Sequence, residues 1–161
     1  MFEKLFGKKK LHDQTDISRR FNLIGRVGQG SMSKVWKATD LQSGRTVALK
    51  VLDKEKTAKF EERFRGLHKP SEGEVAMSLN HPNIVKTHEF GWTLEDEMFL
   101  VMEFVEGVDL NTLAKMCGPL SVADACEIAR QAALGLEYAH QQGIVHRDIK
   151  PSNLMLSVVS S

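Results

Sequence analysis

The chain has 161 residues, 42% hydrophobic and 27% charged, the mix of an ordinary globular protein able to bury a core. A formal net charge of +1 gives no global field that favours nucleic acid, and the apolar runs are too short to span a membrane. Cys117 and Cys126 fit neither a CxxC redox pair nor a zinc knuckle, and read as reduced, buried structural thiols.

The opening MFEKLFGKKK has no long apolar stretch and no small-residue cleavage site, which argues against a secretion signal. Phe2 in place of glycine argues against N-myristoylation. Lys8, Lys9 and Lys10 read as a solvated tail, residues 1–20 as a flexible basic lead-in, and the cytoplasm as the natural compartment.

From Phe21 the pattern turns strand-like. FNLIGRV, KVWKATD and TVALKVL at 46–52 are separated by Gly28-Gln29-Gly30 and by Ser43-Gly44, and predict three consecutive antiparallel strands. Residues 53–69, dense in Lys, Glu and Arg, read as a solvated helix or loop. Pro70 and Ser71 open a helix over about 71–79, in which Gly73 costs about 1 kcal/mol relative to alanine. After His81-Pro82-Asn83, IVKTHEFGW and EMFLVMEFV predict two further strands.

The period then changes. Ser121 and Asp124 resemble a capping box, and Val122, Ala125, Cys126, Ala129, Ala132, Ala133, Leu136, Ala139 and His140 recur at helical spacing over 121–142. The stripe is mostly small residues, which lets another helix approach closely, and Gly143 ends it. The expected architecture is α+β. Residues 21–105 form a five-stranded antiparallel sheet plus a helix, and 106–161 begin a helical lobe.

Three elements carry chemistry. Gly28-Gln29-Gly30-Ser31-Met32-Ser33-Lys34-Val35 lies between two strands, where glycines bring backbone N–H groups close to phosphate oxygens. By itself such a motif is more often just a hairpin turn. It is not a Rossmann fingerprint, because alternation rather than a helix follows, and no Gly-Lys-Ser/Thr makes it a Walker loop. Val47-Ala48-Leu49-Lys50 puts a lysine at the end of an apolar strand, where it needs an anionic partner or snorkels at an edge. His146-Arg147-Asp148-Ile149-Lys150-Pro151-Ser152-Asn153 packs a carboxylate, two cations and an amide into one short stretch. Such a carboxylate can orient a hydroxyl and accept its proton, while an amide oxygen can ligate a divalent metal.

With these motifs in this order, the chain from about Phe21 to Leu156 resembles the eukaryotic-type serine/threonine protein kinases. That resemblance implies ATP and Mg²⁺ as cofactors and a protein serine or threonine as substrate. It implies that Gly28, Gly30, Ser31, Ser33 and Val35 belong to the loop over the phosphates, that Ala48 lies at the nucleotide and that Lys50 holds the α- and β-phosphates. Family spacing points to Glu72 as the partner of Lys50, with Glu74 second. Met102 falls at the gatekeeper position, Glu103 and Val105 would offer backbone groups to adenine, and Asp109 would reach the ribose. Asp148 resembles the catalytic aspartate, Lys150 the residue steadying the γ-phosphate, and Asn153 the metal-binding asparagine.

Two departures from the family shape the expectation. Ser33 replaces the third glycine of the phosphate loop, and no Asp-Phe-Gly follows Asn153. Phosphoryl transfer depends on positioning and on both metal ligands. These residues alone are therefore expected to transfer weakly or not at all. The alternative is a module that binds ATP or a partner without transfer. The stripe of the 121–142 helix is expected to associate with a partner or a second copy.

Overall fold

The computed structural model describes residues 13–29, 33–55, 57–58 and 71–157. Gly30 and Ser31 of the glycine-rich turn, like the Lys8–Lys10 run, lie outside the described residues.

The chain enters through β1 (Gln14–Thr15) and a single helical turn, α1 (Ile17–Arg20). The Asp16 side chain caps this turn by accepting from the Ser18 and Arg19 N–H groups. Three strands follow, β2 (Phe21–Gln29), β3 (Ser33–Asp40) and β4 (Thr46–Leu52). The β3–β4 turn is built around Asp40, whose carboxylate accepts from the Gln42 N–H at 3.1 Å and the Ser43 hydroxyl at 2.9 Å. Gly44 completes it at φ +70°, a left-handed conformation that disfavours a side chain. After helix α2 (Glu72–Ser78) come β5 (Thr87–Thr93) and β6 (Met98–Glu103).

These strands form one sheet in the order β1-β5-β6-β4-β3-β2. Every pairing is antiparallel except β1 with β5, which is parallel. The sheet therefore has six strands where five were expected, and part of the lead-in read as flexible is structured. The reason lies in the partners. Two residues of strand carry too little pattern to be recognised, and β1 is held by β5, far along the chain.

One face of the sheet is the core. Phe21, Ala38, Val47, Leu49, Val51, Phe99 and Val101 are buried together, with Ile17 of α1 and Trp36 packed against them. Phe21 and Phe99 meet edge to face, 6.2 Å between ring centroids. Because side chains alternate along a strand, Ala48, Lys50, Leu100 and Met102 point to the opposite face. That face carries the candidate site.

α2 rests mainly on β5. Gly73 is the point of contact: a Cβ there would collide with the Phe90 ring, so the glycine that weakens the helix lets it seat closely. The linker after α2 ties the two parts of the chain together. His81 stacks on Tyr138, 5.3 Å between centroids, and the Asn83 amide donates to Gln131 Oε1 at 3.1 Å.

Beyond residues 104–106 lie β7 (Gly107–Asp109), α3 (Leu110–Cys117), α4 (Val122–Gln141), a 3₁₀ turn (Pro151–Asn153) and β8 (Met155–Ser157). β7 and β8 pair as an antiparallel ribbon, with Asp109 opposite Met155. α4 matches the predicted helix closely, but only Gly135 and Ala139 of it are buried. Val122 is 81% exposed, and its small-residue stripe lies largely open among the described residues. Cys117 and Cys126 are free as expected, yet exposed rather than buried, Cys126 because it lies on that open stripe.

Candidate active site

Cross-strand register assembles the first half of the site. Val35, Lys50 and Leu100 form one row across β3, β4 and β6, and Lys37, Ala48 and Met102 the next. Gly28 pairs with Val35, and Ser33 opens β3 opposite Leu52. Val35, Ala48, Lys50 and Met102 thus share one face of the sheet, and Gly28 is paired beside Val35 in it.

Lys50 Nζ lies 2.6 Å from Glu72 Oε1, with their side chains 26% and 49% exposed. The choice between Glu72 and Glu74 is decided by the helix cap. Glu74 accepts from the Ser71 N–H at 2.7 Å, and Ser71 Oγ accepts from the Glu74 N–H at 3.2 Å. This reciprocal capping box occupies Glu74 and holds its carboxyl below the usual range, the Ser71 N–H being the main cause. The Ser-x-x-Glu spacing is the signal in the sequence that could have assigned Glu74 to the cap.

The link between the two halves starts at Glu103. Its N–H donates to the Lys86 carbonyl at 2.9 Å, and its carboxylate accepts from the Lys86 N–H at 2.7 Å. Val105 follows in the irregular stretch before β7. Lys37 reaches this link from β3, its Nζ 4.3 Å from the Phe104 ring centroid and 3.7 Å from Glu106. Asp109 is a helix cap: Oδ1 accepts from the Thr112 N–H at 3.0 Å and Oδ2 from the Thr112 hydroxyl at 2.6 Å. Those bonds lower its pKa, the Thr112 hydroxyl most of all. Only its remaining lone pairs are left for a ribose.

The second half is built locally. Arg147 adopts φ +63°, unusual for a residue with a side chain, and the Asp148 N–H turns back to donate to His146 Nδ1 at 3.2 Å. Asp148 Oδ2 lies 2.8 Å from Lys150 Nζ and accepts from the Asn153 amide at 3.1 Å. The Lys150 ammonium is the main cause that holds the Asp148 carboxyl below its ordinary range; desolvation opposes it, and the Asn153 amide adds to the lowering. Asn153 Nδ2 also donates to the Asp148 carbonyl at 2.8 Å. Both atoms facing this nitrogen are acceptors, which fixes the amide orientation and makes Oδ1 the atom available to a cation.

A magnesium ion suits that donor in kind, since it takes hard oxygen ligands and completes its shell with water and phosphate. Among the described residues no group of three or more His, Cys, Asp or Glu is placed to hold a metal by itself. Asn153 would therefore be one ligand among several.

Two exposed apolar side chains not named from the sequence lie next to residues that were. Val27, 53% exposed, sits at the irregularity of β2 beside Gly28, and Met155, 43% exposed, lies opposite Asp109.

Comparison with known proteins gives a consistent result. The model of the protein kinase domain matches residues 21–160. The serine/threonine-protein kinase PknA of Mycobacterium tuberculosis is 38% identical over 150 residues, which cover 88% of this chain and 33% of that protein. PrkC of Bacillus subtilis, also a serine/threonine-protein kinase, is 39% identical over 142 residues, 87% of this chain and 21% of PrkC. Among solved structures, Rad53 1–466 in complex with AMP-PNP superposes with TM-score 0.74 at 33% identity, covering 91% of this chain and 37% of that one. The Mycobacterium tuberculosis PknI kinase domain gives 0.69 at 30% identity, covering 88% and 56%. The chain spans a third or less of the two curated relatives.

Proposed function

Because the chain belongs to the protein kinase domain family, we propose that its cleft binds ATP and transfers the γ-phosphoryl group to serine or threonine hydroxyls of a protein substrate. The observation that carries this reading is the 2.6 Å pairing of Lys50 with Glu72, from separate elements, on the same face as Val35 and Ala48. A lysine so held presents a fixed positive charge to phosphate oxygens, with little left to reorganise on binding.

The roles follow from chemistry. Val27, Val35 and Ala48, together with Met155, would supply the apolar contacts to a flat base. Glu103 and Val105 offer backbone groups along the link. Asp148 Oδ1 is the oxygen left to accept a substrate hydroxyl proton, and Asp148 stays ionised because Lys150 and Asn153 hold its other oxygen. Lys150, 2.8 Å from that carboxylate, would steady the γ-phosphate. Asn153 Oδ1 would help hold Mg²⁺, which supplies charge neutralisation at the phosphates. The AMP-PNP bound by Rad53 supports a nucleotide in this kind of cleft.

The cytoplasm, with its ATP and Mg²⁺, is the compartment we propose. No helix among the described residues is long and apolar enough to cross a membrane.

The test is incubation of the chain with Mg²⁺, labelled ATP and a protein acceptor. Asp148→Asn is expected to reduce incorporation by about 10²–10⁴-fold, and Lys50→Met to weaken ATP binding. Equal incorporation by the wild type and Asp148→Asn overturns the transferase reading. Binding that depends on Lys50 without any transfer identifies a nucleotide-binding module instead.

A further inference from the structure

Arg20 is an enclosed cation that the proposed chemistry leaves unused, its side chain 10% exposed beside an Asp40 only 6% exposed. Its guanidinium donates to Asp40 Oδ1 at 3.3 Å and Oδ2 at 3.4 Å, and to Glu89 Oε1 and Oε2 at 2.6 Å each. One planar fork thus grips β3 and β5, strands that the sheet order separates by β4 and β6. The same segment holds β5 again further along. Gln14 and Thr15 pair with Trp92 and Thr93, and the Gln14 amide donates to Asp96 in the β5–β6 turn.

β5 is also the strand on which α2 rests. Alternation puts Glu89 on the side of the guanidinium and Phe90 on the side of α2. The Phe90 ring fills the space where a Gly73 Cβ would be, and Gly73 follows Glu72, the partner of Lys50.

We infer that Arg20 is a positioning residue for the nucleotide site: by clamping β5 from behind, it sets where Phe90 seats α2 and where Glu72 meets Lys50. The inference rests on the reading of Lys50 and Glu72 as nucleotide-binding. The clamp stays charged at neutral pH. The Glu89 hydrogen bonds chiefly raise the Arg20 pKa, while Asp40, although burial pushes it up, is held below its ordinary value by Arg20, Ser43 and Gln42.

The experiment reads ATP affinity and hydrogen exchange of the α2 amides in the whole chain, well below the melting temperature. Arg20→Gln is expected to weaken ATP binding about five- to tenfold and to speed exchange at Val75–Ser78, with Arg20→Lys in between. Because Arg20 acts through Glu72, the affinity loss disappears in a Glu72→Gln background. Unchanged affinity and exchange in Arg20→Gln, or the same loss in both backgrounds, overturns the inference. If Arg20→Gln does not fold, Glu89→Gln is read in the same way. A wild-type chain that binds no ATP refutes the nucleotide reading alone, and α2 exchange then decides the clamp: faster in Arg20→Gln supports it, unchanged overturns it.

Discussion

The sheet and the segment that follows it hold their functional groups by different means. Among the described residues, every buried apolar side chain except Ala139 lies between Phe21 and Val101. Lys50 and Glu72 come together across that packed body, through strand register and the seat of α2 on β5. Asp148, Lys150 and Asn153 need no such core. They are neighbours in sequence, bonded to one another, and anchored by the β7–β8 ribbon and the Leu110 N–H to Leu154 carbonyl bond of 3.0 Å. The cation side of the site therefore depends on global packing, and the carboxylate side on local hydrogen bonds and backbone geometry.

Substitutions can pull the two apart. The largest effect is expected for Phe99→Ala, which removes a fully buried ring between Phe21 and Gly91 and should cost about 3–5 kcal/mol in urea denaturation. Val122→Ala, on the open face of α4, should change stability by less than about 0.5 kcal/mol in the same assay. Comparable losses at both positions would show that α4 is packed as tightly as the sheet.

Gly107→Ala breaks the local half instead. A Cβ there would collide with the Leu156 carbonyl oxygen, so the ribbon must open at an expected cost of about 1–3 kcal/mol. Hydrogen exchange should speed at Val108, Asp109 and Leu156 while the sheet amides stay protected.

Ser71→Ala is a smaller change. Losing the helix cap should cost about 1 kcal/mol and leave Glu74 without its box, read by thermal denaturation. Glu74→Gln should leave ATP affinity near the wild-type value and Glu72→Gln should not, which separates the capping acid from the pairing acid.

The smallest effect is in acid. The folded Asp40 pKa lies below its ordinary value of 3.8, so the unfolded chain binds the proton more readily in that interval. Asp40 thus contributes stability above its ordinary pKa that is lost as pH falls through the folded value. Stability measured against pH should fall less steeply below about 3.8 in Asp40→Asn than in the wild type.

Much of the site was legible because its parts are local patterns. Glycine-bounded apolar strands, a lysine ending one of them and the run from His146 to Asn153 are all properties of short windows. Their order along the chain carried the family resemblance. What escaped was short or remote. β1 has two residues, β7 and β8 three each, and α3 follows a strand whose last residue, Asp109, is also its cap. No window of sequence shows that Arg20 meets Glu89, because their contact is made by the fold.

The sequence by itself therefore determined the longer strands and helices, the turns between them, and which polar groups are available for chemistry. Side-chain period and turn residues are set by neighbours along the chain. Only the tertiary structure brought Lys50 to Glu72 and enclosed Arg20 between two carboxylates. Those outcomes turn on distances between residues far apart in sequence, and such distances exist only once the sheet has folded.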